Sequence, residues 1–189
     1  MSSRPTSTRI DETLRTERLL LRPPVAADAP AMARLAGDER VARWTAAIPH
    51  PYPDGAAEEF IAEAGRRRAA GEALVFAICL KDAPDALIGM VELRQTDSGA
   101  VELGYWLGQP WWGQGLMSEA VAAAAAAGRL WRPGALIGAH TFPDNVASQR
   151  VLEKAGFIRR GTGTCRAPAR ACGDVENAPV FVYEPGAGE

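Results

Sequence analysis

The chain has 189 residues, of which 47% are hydrophobic and 23% charged, which is enough for one domain with a sizeable core and short for two. A formal net charge of -2 argues against a nucleic-acid-binding protein, which would usually show a basic face. No apolar run reaches the ~18 residues that a membrane span needs, and residues 1–11 lack the apolar core of a signal peptide. We therefore expect a cytoplasmic protein that contacts neither nucleic acid nor a membrane directly.

The predicted elements follow one another in a mixed order. Strands are predicted at residues 18–22, 73–80, 87–94, 100–107, 135–141, 157–164 and 180–183, and helices at residues 26–36, 54–70, 113–128 and 145–155. Asp54 and Asn145 are expected to cap two of these helices, and three prolines make residues 44–53 a loop. The order is not a regular βαβ repeat, so it predicts a single mixed α/β (α+β) domain. The domain is placed at residues 16–185, between a flexible lead-in at residues 1–15 and a tail at residues 186–189.

The three cysteines, Cys79, Cys165 and Cys172, are odd in number and irregularly spaced. This pattern argues against a disulfide framework and fits a reducing cytosol. Cys79 lies in an apolar run and is predicted to be a small buried hydrophobic residue. The chain has only two histidines, His50 and His140, and neither belongs to a cluster with metal-ligand spacing, so no metal site is expected.

The most informative segment is a glycine-rich turn between a strand and a helix. Gly113, Gln114 and Gly115 follow the predicted strand at residues 100–107, and Leu116 and Met117 open the helix. Glycines let backbone N–H groups turn toward a ligand, and a helix start adds unpaired N–H groups and a positive dipole end. The turn therefore predicts a phosphate or diphosphate site. The alternative is a turn needed only for packing the strand against the helix.

Two other phosphate-binding motifs fit this turn poorly. A P-loop needs Gly-Lys-Ser/Thr, but Leu116 and Met117 follow Gly115. A dinucleotide fingerprint needs a third glycine, but Ser118 stands there, and no ribose-binding acid lies at the expected distance.

Four segments together resemble the GNAT N-acetyltransferases, in particular their ribosomal-protein alanine acetyltransferase-like branch. They are TERLLLRPP at residues 16–24, ELGYWLGQPWWGQGLMSEAV at residues 102–121, NVAS at residues 145–148 and VLEKAGF at residues 151–157. Their order and spacing span nearly the whole chain, and the combination is specific although each segment alone is not. One departure is Pro110, which stands where the family's coenzyme A signature begins with Gln or Arg; members of this branch often relax that position, and the main-chain donors of residues 113–117 remain.

The resemblance implies a fold and a co-substrate. The fold is a mostly antiparallel sheet of about seven strands with about four helices, in which the strands at residues 100–107 and 135–141 run parallel and splay apart. Acetyl-CoA is the implied co-substrate, with its diphosphate on the main chain of the glycine turn and its pantetheine arm in the gap, beside Tyr105, Trp106 and Leu107. By the same resemblance, Asn145 contacts the arm.

Transfer of an acetyl group to an amine needs a proton acceptor, and Glu102 is the predicted general base, acting directly or through water. If the hairpin pairs Arg94 with Ala100, Glu92 lies across from Glu102, and two facing carboxylates raise one pKa toward neutrality. The alternative is two solvated acids on an exposed sheet face. Ser148, one turn into its helix, is predicted to protonate the departing sulfur.

Three side chains of the proline-rich loop, Trp44, His50 and Tyr52, are candidate acceptor contacts, although they would equally serve to pin the loop. His140 is interpreted as a core residue rather than a base. The acceptor is a protein N-terminus or a small-molecule amine, and the protein is a monomer or a homodimer. An idle acyl-CoA-binding sensor or scaffold module remains the alternative function.

Overall fold

The computed structural model describes residues 12–170 and 178–186. A single sheet runs through this part of the chain, with strands in the order β1-β2-β3-β4-β5-β6-β8-β7. The strands are β1 (Leu14–Arg15), β2 (Leu19–Arg22), β3 (Ala73–Leu80), β4 (Ala83–Gln95), β5 (Val101–Leu107), β6 (Ile137–Thr141), β7 (Phe157–Cys165) and β8 (Ala178–Pro185). The helices are α1 (Ala29–Ala36), α2 (Glu39–Ala42), α3 (Ala56–Ala69), α4 (Leu116–Trp131) and α5 (Val146–Lys154). Neighbouring strands are antiparallel except β5 and β6, which are parallel.

Both faces of the sheet are covered, and each face carries its own core. Helices α4 and α5 pack on one face, over side chains such as Phe76 and Leu103. Helices α1 and α3 pack on the other, over Val75 and Met90. Strand β3 contributes alternate side chains to the two cores and is buried almost throughout, as its continuous apolar run predicts.

The predicted mixed α/β fold is confirmed, with some local differences. Leu14–Arg15, which the sequence placed in the lead-in, forms a short strand paired with β2. Helix α2 has only four residues and leaves no periodic pattern to read. The predicted Asp54 cap is wrong: Gly55, with φ of 77°, occupies the N-cap of α3, and no side chain caps that helix.

The hairpin between β4 and β5 has a register different from the predicted one. Arg94 pairs with Glu102 rather than with Ala100, so Gly104 and not Glu102 lies opposite Glu92. The cause is the turn: the Thr96 N–H and hydroxyl both donate to the Ala100 carbonyl, at 2.8 and 3.1 Å. Since this closure leaves three residues in the loop, each pairing shifts by two positions.

Within residues 12–170 and 178–186, no helix combines the length and the apolar character needed to cross a bilayer. Over the same ranges, no three His, Cys, Asp or Glu side chains group together as they would around a metal ion. Cys79 is a buried free thiol, as predicted, and Cys165 is a partly buried one. Cys172 lies outside the described residues.

Two glycines in and after helix α3 test the backbone conformation of this segment. Gly65 lies in the exposed middle of the helix, where an added Cβ meets no atom within 4 Å. Gly65→Ala should raise the free energy of unfolding by about 0.5–1 kcal/mol, because alanine loses less backbone entropy on folding. Gly71 follows the helix at φ of +73°. Gly71→Ala should lower the free energy by about 1–2 kcal/mol. Urea unfolding followed by circular dichroism measures the free energy of unfolding of both variants. Changes of the same sign would contradict the helical conformation of Gly65 or the left-handed conformation of Gly71.

Candidate active site

The parallel strands β5 and β6 stay together for only three residue pairs, from Val101 with Ile137 to Leu103 with Ala139. Beyond that point β5 continues against β4, and β6 continues against β8. A cavity of about 410 Å³ lies where the two strands separate, and residues from both faces of the sheet line it. The splayed parallel pair expected from the resemblance is therefore present.

The open edge of β5 carries unpaired backbone groups. The Val101 N–H donates to the Leu136 carbonyl on the β6 side, whereas the Gly108 N–H donates to Ile88 on the β4 side. Because backbone groups alternate along a strand, Tyr105 and Leu107 present theirs to the gap, and Trp106 presents its own to β4. The Leu107 carbonyl accepts the indole N–H of Trp112 at 2.6 Å. All three predicted residues of β5 line the cavity, but the backbone of Trp106 is already paired.

The glycine turn borders the same cavity. Gly113 and Gly115 both have φ of 75°, a conformation that favours glycine, and Gly115 occupies the N-cap of α4. Within the described part of the chain, the N–H groups of residues 113–117 donate no hydrogen bond. Gly113, Gly115, Leu116 and Met117 line the cavity, whereas the Gln114 side chain bends back to donate to the Pro110 carbonyl.

An ion pair that the sequence analysis missed braces this turn. The Glu119 carboxylate, in the first turn of α4, accepts from the Thr16 hydroxyl at 2.5 Å and from the Arg18 N–H and Nε at 2.8 Å. Arg18 also donates to the Gln114 carbonyl at 2.9 Å. Partial burial of Glu119 opposes its ionisation, but the donors from Thr16 and Arg18 lower its pKa. The brace ties the glycine turn to the start of β2.

Helix α5 brings two hydroxyl groups together at the gap. The Asn145 side chain accepts the Ser148 N–H at 3.1 Å, so the predicted cap is confirmed. The Ser148 hydroxyl lies 2.8 Å from the Tyr105 hydroxyl, and all three residues line the cavity. Burial raises the pKa of Tyr105, so its phenol stays protonated.

Glu102 lies on the opposite face from Tyr105 and is held by Arg94 and His140. One oxygen of the carboxylate pairs with Arg94, and the other lies 3.4 Å from Nδ1 of His140. The His140 interaction and then the Arg94 pair lower the pKa of Glu102 to about 2, against the effect of its partial burial.

The facing carboxylate pair is therefore wrong, because the turn sets another register. The structure lowers the Glu102 pKa instead of raising it, and Glu92 pairs with Arg67 of α3. Neither Glu92 nor Glu102 is among the described residues that line the cavity.

The proline-rich loop contributes one of its three candidate residues to the cavity. Trp44 lines it beside Val41 and Thr45. His50 instead hydrogen-bonds the Gly37 carbonyl through Nδ1 at 3.0 Å, and Tyr52 packs against the core under α1 and α3. Among the described residues, neither of them reaches the cavity wall.

Trp44 is fixed by stacked guanidinium groups. Arg43 lies 5.0 Å and Arg170 lies 5.4 Å from the Trp44 ring centroid, and Arg170 also lies 4.3 Å from that of Phe142. Arg170 pairs with Asp144 at 2.5 Å. Of this cluster, Trp44 lines the cavity, on the face opposite α4 and α5.

His140 is not the core residue that the sequence analysis predicts. Its side chain is 40% exposed, lines the cavity and points away from the core under α4, which takes the neighbouring Ala139. Alternation along a strand of only five residues does not show which face opens onto a cavity, so the sequence did not indicate this placement.

The comparisons with known proteins agree on one family and one fold. Residues 18–158 match the domain family described as acetyltransferase (GNAT) domain. The chain is 31% identical over 153 residues to the uncharacterized N-acetyltransferase p20 of Bacillus licheniformis, which covers 79% of this chain and 84% of that protein.

Two solved structures share the fold. RimJ of Mycobacterium smegmatis in complex with CoA-disulfide superposes with a TM-score of 0.75 at 19% identity, over 91% of this chain and 85% of that one. The ribosomal-protein-S5-alanine acetyltransferase of Vibrio fischeri superposes with a TM-score of 0.74 at 21% identity, over 92% and 96% of the respective chains.

The lowered pKa of Glu102 makes a prediction about stability and pH. A carboxylate whose folded pKa lies below its unfolded value of about 4.3 contributes stability above that value and loses it as the pH falls. The free energy of unfolding should therefore drop less between pH 6 and pH 3 in Glu102→Gln than in the original protein. Urea unfolding at the two pH values measures the difference. Asp97→Asn, at an exposed carboxylate that forms no ion pair within the described residues, is the control. An equal drop in Glu102→Gln and the original protein would contradict the ion-pair geometry.

Proposed function

The chain belongs to the acetyltransferase (GNAT) domain family of acyltransferases, and we propose that it transfers the acetyl group of acetyl-CoA directly to a primary amine while both substrates are bound. One observation carries the proposal. The N–H groups of residues 113–117 donate no hydrogen bond within the described residues, and most of these residues line a cavity at a split in the sheet. Unpaired amides at a helix start are a site for a diphosphate.

The chemistry of the cavity fits acetyl-CoA along its length. The amides of residues 113–117 suit the diphosphate, and the gap-facing backbone of Tyr105 and Leu107 suits the amide groups of the pantetheine arm. Asn145 lines the gap opposite, with its side-chain oxygen engaged by the Ser148 N–H and its amide N–H₂ left as a donor. When bound, the co-substrate supplies a thioester whose acyl carbon is open to attack by an amine.

Ser148 is the proposed proton donor to the departing sulfur. Its hydroxyl lies 2.8 Å from the phenol of Tyr105, which burial keeps protonated. A thiol of pKa about 8.5 is a fair leaving group, so this donor has a modest effect. Most of the acceleration would come from holding the amine and the thioester in line. Tyr105 orients the Ser148 hydroxyl rather than donating the proton itself.

The proposed acceptor is the α-amino group of a protein N-terminus. A structural neighbour is named a ribosomal-protein-S5-alanine acetyltransferase, and an α-amino group of pKa about 8 gives up its proton more readily than a lysine amine of about 10.4. The wall formed by Val41, Trp44 and Thr45 would receive the acceptor on the face opposite α4. A small-molecule amine is the alternative acceptor.

Two glycines of equal backbone strain test the diphosphate site. Gly113 and Gly99 both have positive φ, and an added Cβ at either meets no atom within 4 Å, but only Gly113 lines the cavity. Alanine at position 113 would be strained by ~1–2 kcal/mol in the left-handed conformation, so the backbone would shift to relieve that strain. Because the shift would turn the amides of the turn away from the diphosphate, Gly113→Ala should weaken acetyl-CoA binding about tenfold. Gly99→Ala should leave the dissociation constant unchanged. Isothermal titration calorimetry measures both, and no association with acetyl-CoA by the original protein would refute the proposal.

Acceptor choice is tested by thiol release from acetyl-CoA. The probes are peptides with a free N-terminal alanine or serine, the same peptides with a blocked N-terminus and one lysine, spermidine, and free amino acids. We expect release with the free N-terminal peptides and none with the blocked ones. Release with spermidine or amino acids alone would support a small-molecule acceptor. Binding of acetyl-CoA without release for any probe would favour a sensor module over an enzyme.

A further inference from the structure

We propose that His140 is the general base of the transfer, taking the proton of the acceptor amine on Nε2, and that Glu102 is the positioning residue that holds its ring. The inference rests on the proposed function and names a catalytic residue for it. It changes the base expected from the sequence, which was Glu102 itself.

The sheet register puts His140 at the split between the strands. The last pair of the parallel ladder joins Leu103 to Ala139, so the next residues, Gly104 and His140, stand where the strands begin to part. Alternation turns His140 to the face opposite α4, the face that also carries Glu102 and Trp106. Gly104 has no side chain, and an added Cβ there would meet no atom within 4 Å. Nothing on β5 therefore stands between the imidazole and the cavity, which both residues line.

The two ring nitrogens of His140 have different surroundings. Nδ1 lies 3.4 Å from the Glu102 carboxylate, so a proton on Nδ1 is stabilised there and the lone pair is left on Nε2. Glu102 itself is poorly placed to be the base. Its second oxygen pairs with Arg94, it is not among the described residues that line the cavity, and its lowered pKa makes it a weak proton acceptor.

Glu102 is the charged group in contact with His140, and other charged and titratable groups lie near Glu102 or line the same cavity. Glu102 on β5 faces the His140 ring directly, and Arg94 of β4 pairs with the other oxygen of Glu102. The Glu102–Arg94 pair therefore carries little net charge. Cys165 at the end of β7 lies within electrostatic range of Glu102 and Arg170, and burial raises the pKa of its thiol. The Arg170–Asp144 pair lies beyond Phe142. Across the gap, α5 contributes Arg150 and Lys154 to the cavity wall.

The proton balance of the step is complete with the residues present. The ammonium group of the acceptor first gives a proton to Nε2 of His140, which passes it to solvent. The neutral amine nitrogen then bonds to the acyl carbon while the carbon–sulfur bond breaks, and the electron pair leaves on sulfur. The nitrogen loses its second proton to Nε2 of His140, which again passes it to solvent, and the sulfur takes the Ser148 proton, which Ser148 replaces from solvent. The net products are the amide and the free thiol.

The test compares His140→Ala, His140→Gln and Glu102→Gln with the best peptide acceptor found for the original protein. Both His140 variants should lose about 100-fold in kcat, within the range for a lost general base, and keep the dissociation constant of acetyl-CoA. Added imidazole should restore part of the kcat of His140→Ala. Glu102→Gln should lose only about tenfold, because glutamine still accepts the Nδ1 proton. Thr162→Ala, at an exposed position of β7 outside the cavity wall, should behave as the original protein.

A pH series separates catalysis from a structural role. The deficit of His140→Ala should shrink as the pH rises past about 8, where an α-amino group loses its proton without help. A pH-independent deficit, no rescue by imidazole, or unchanged kcat in His140→Ala would overturn the inference. So would a loss in Glu102→Gln as large as in His140→Ala, which would make Glu102 the base. If the proposed function itself is wrong, the original protein will release no thiol from acetyl-CoA with any acceptor, which distinguishes that outcome from a wrong choice of base.

Discussion

The pairing of β5 with β6 ends after three residues, and the rest of the site depends on that limit. Up to Leu103 the two strands hydrogen-bond to each other, and beyond it β5 keeps only its pairing with β4 and β6 only its pairing with β8. The backbone N–H and carbonyl of Tyr105 and the N–H of Leu107 are thereby left at an open edge, while the Leu107 carbonyl accepts from Trp112. Buried backbone polar groups need partners, so an open edge here is expected to be completed by a ligand or by water.

Several separate devices converge on this split. The glycine turn with its two left-handed glycines lines it, the Arg18–Glu119 pair fixes that turn to β2, and the Asn145 cap starts α5 beside it. The glycine turn and the Asn145 cap are local, whereas the Arg18–Glu119 pair joins distant parts of the chain. Because they share one cavity, the position of each group relative to the others is set by the sheet rather than by the loops alone.

The sequence was informative where structure is local and silent where it is not. The apolar run of β3, the glycine turn and the Asn145 cap each depend on a few neighbouring residues, and each was predicted. The hairpin register depended on how Thr96 closes its turn, which the alternation of side chains does not settle. Arg18 and Glu119 are 101 positions apart, and the contact of His140 with Glu102 joins two strands through a helical crossover. Such pairs appear only when the chain is folded.

The cavity is walled from both faces of the sheet, by the glycine turn and α5 on one side and by Val41, Trp44 and Thr45 on the other. For the proposed transfer, the donor would lie against the wall formed by the glycine turn and α5, and the acceptor against the wall beside Trp44. A bulky acceptor would therefore contact the loop around Trp44, and substitutions in that loop would change which acceptor sizes are tolerated without touching the diphosphate site.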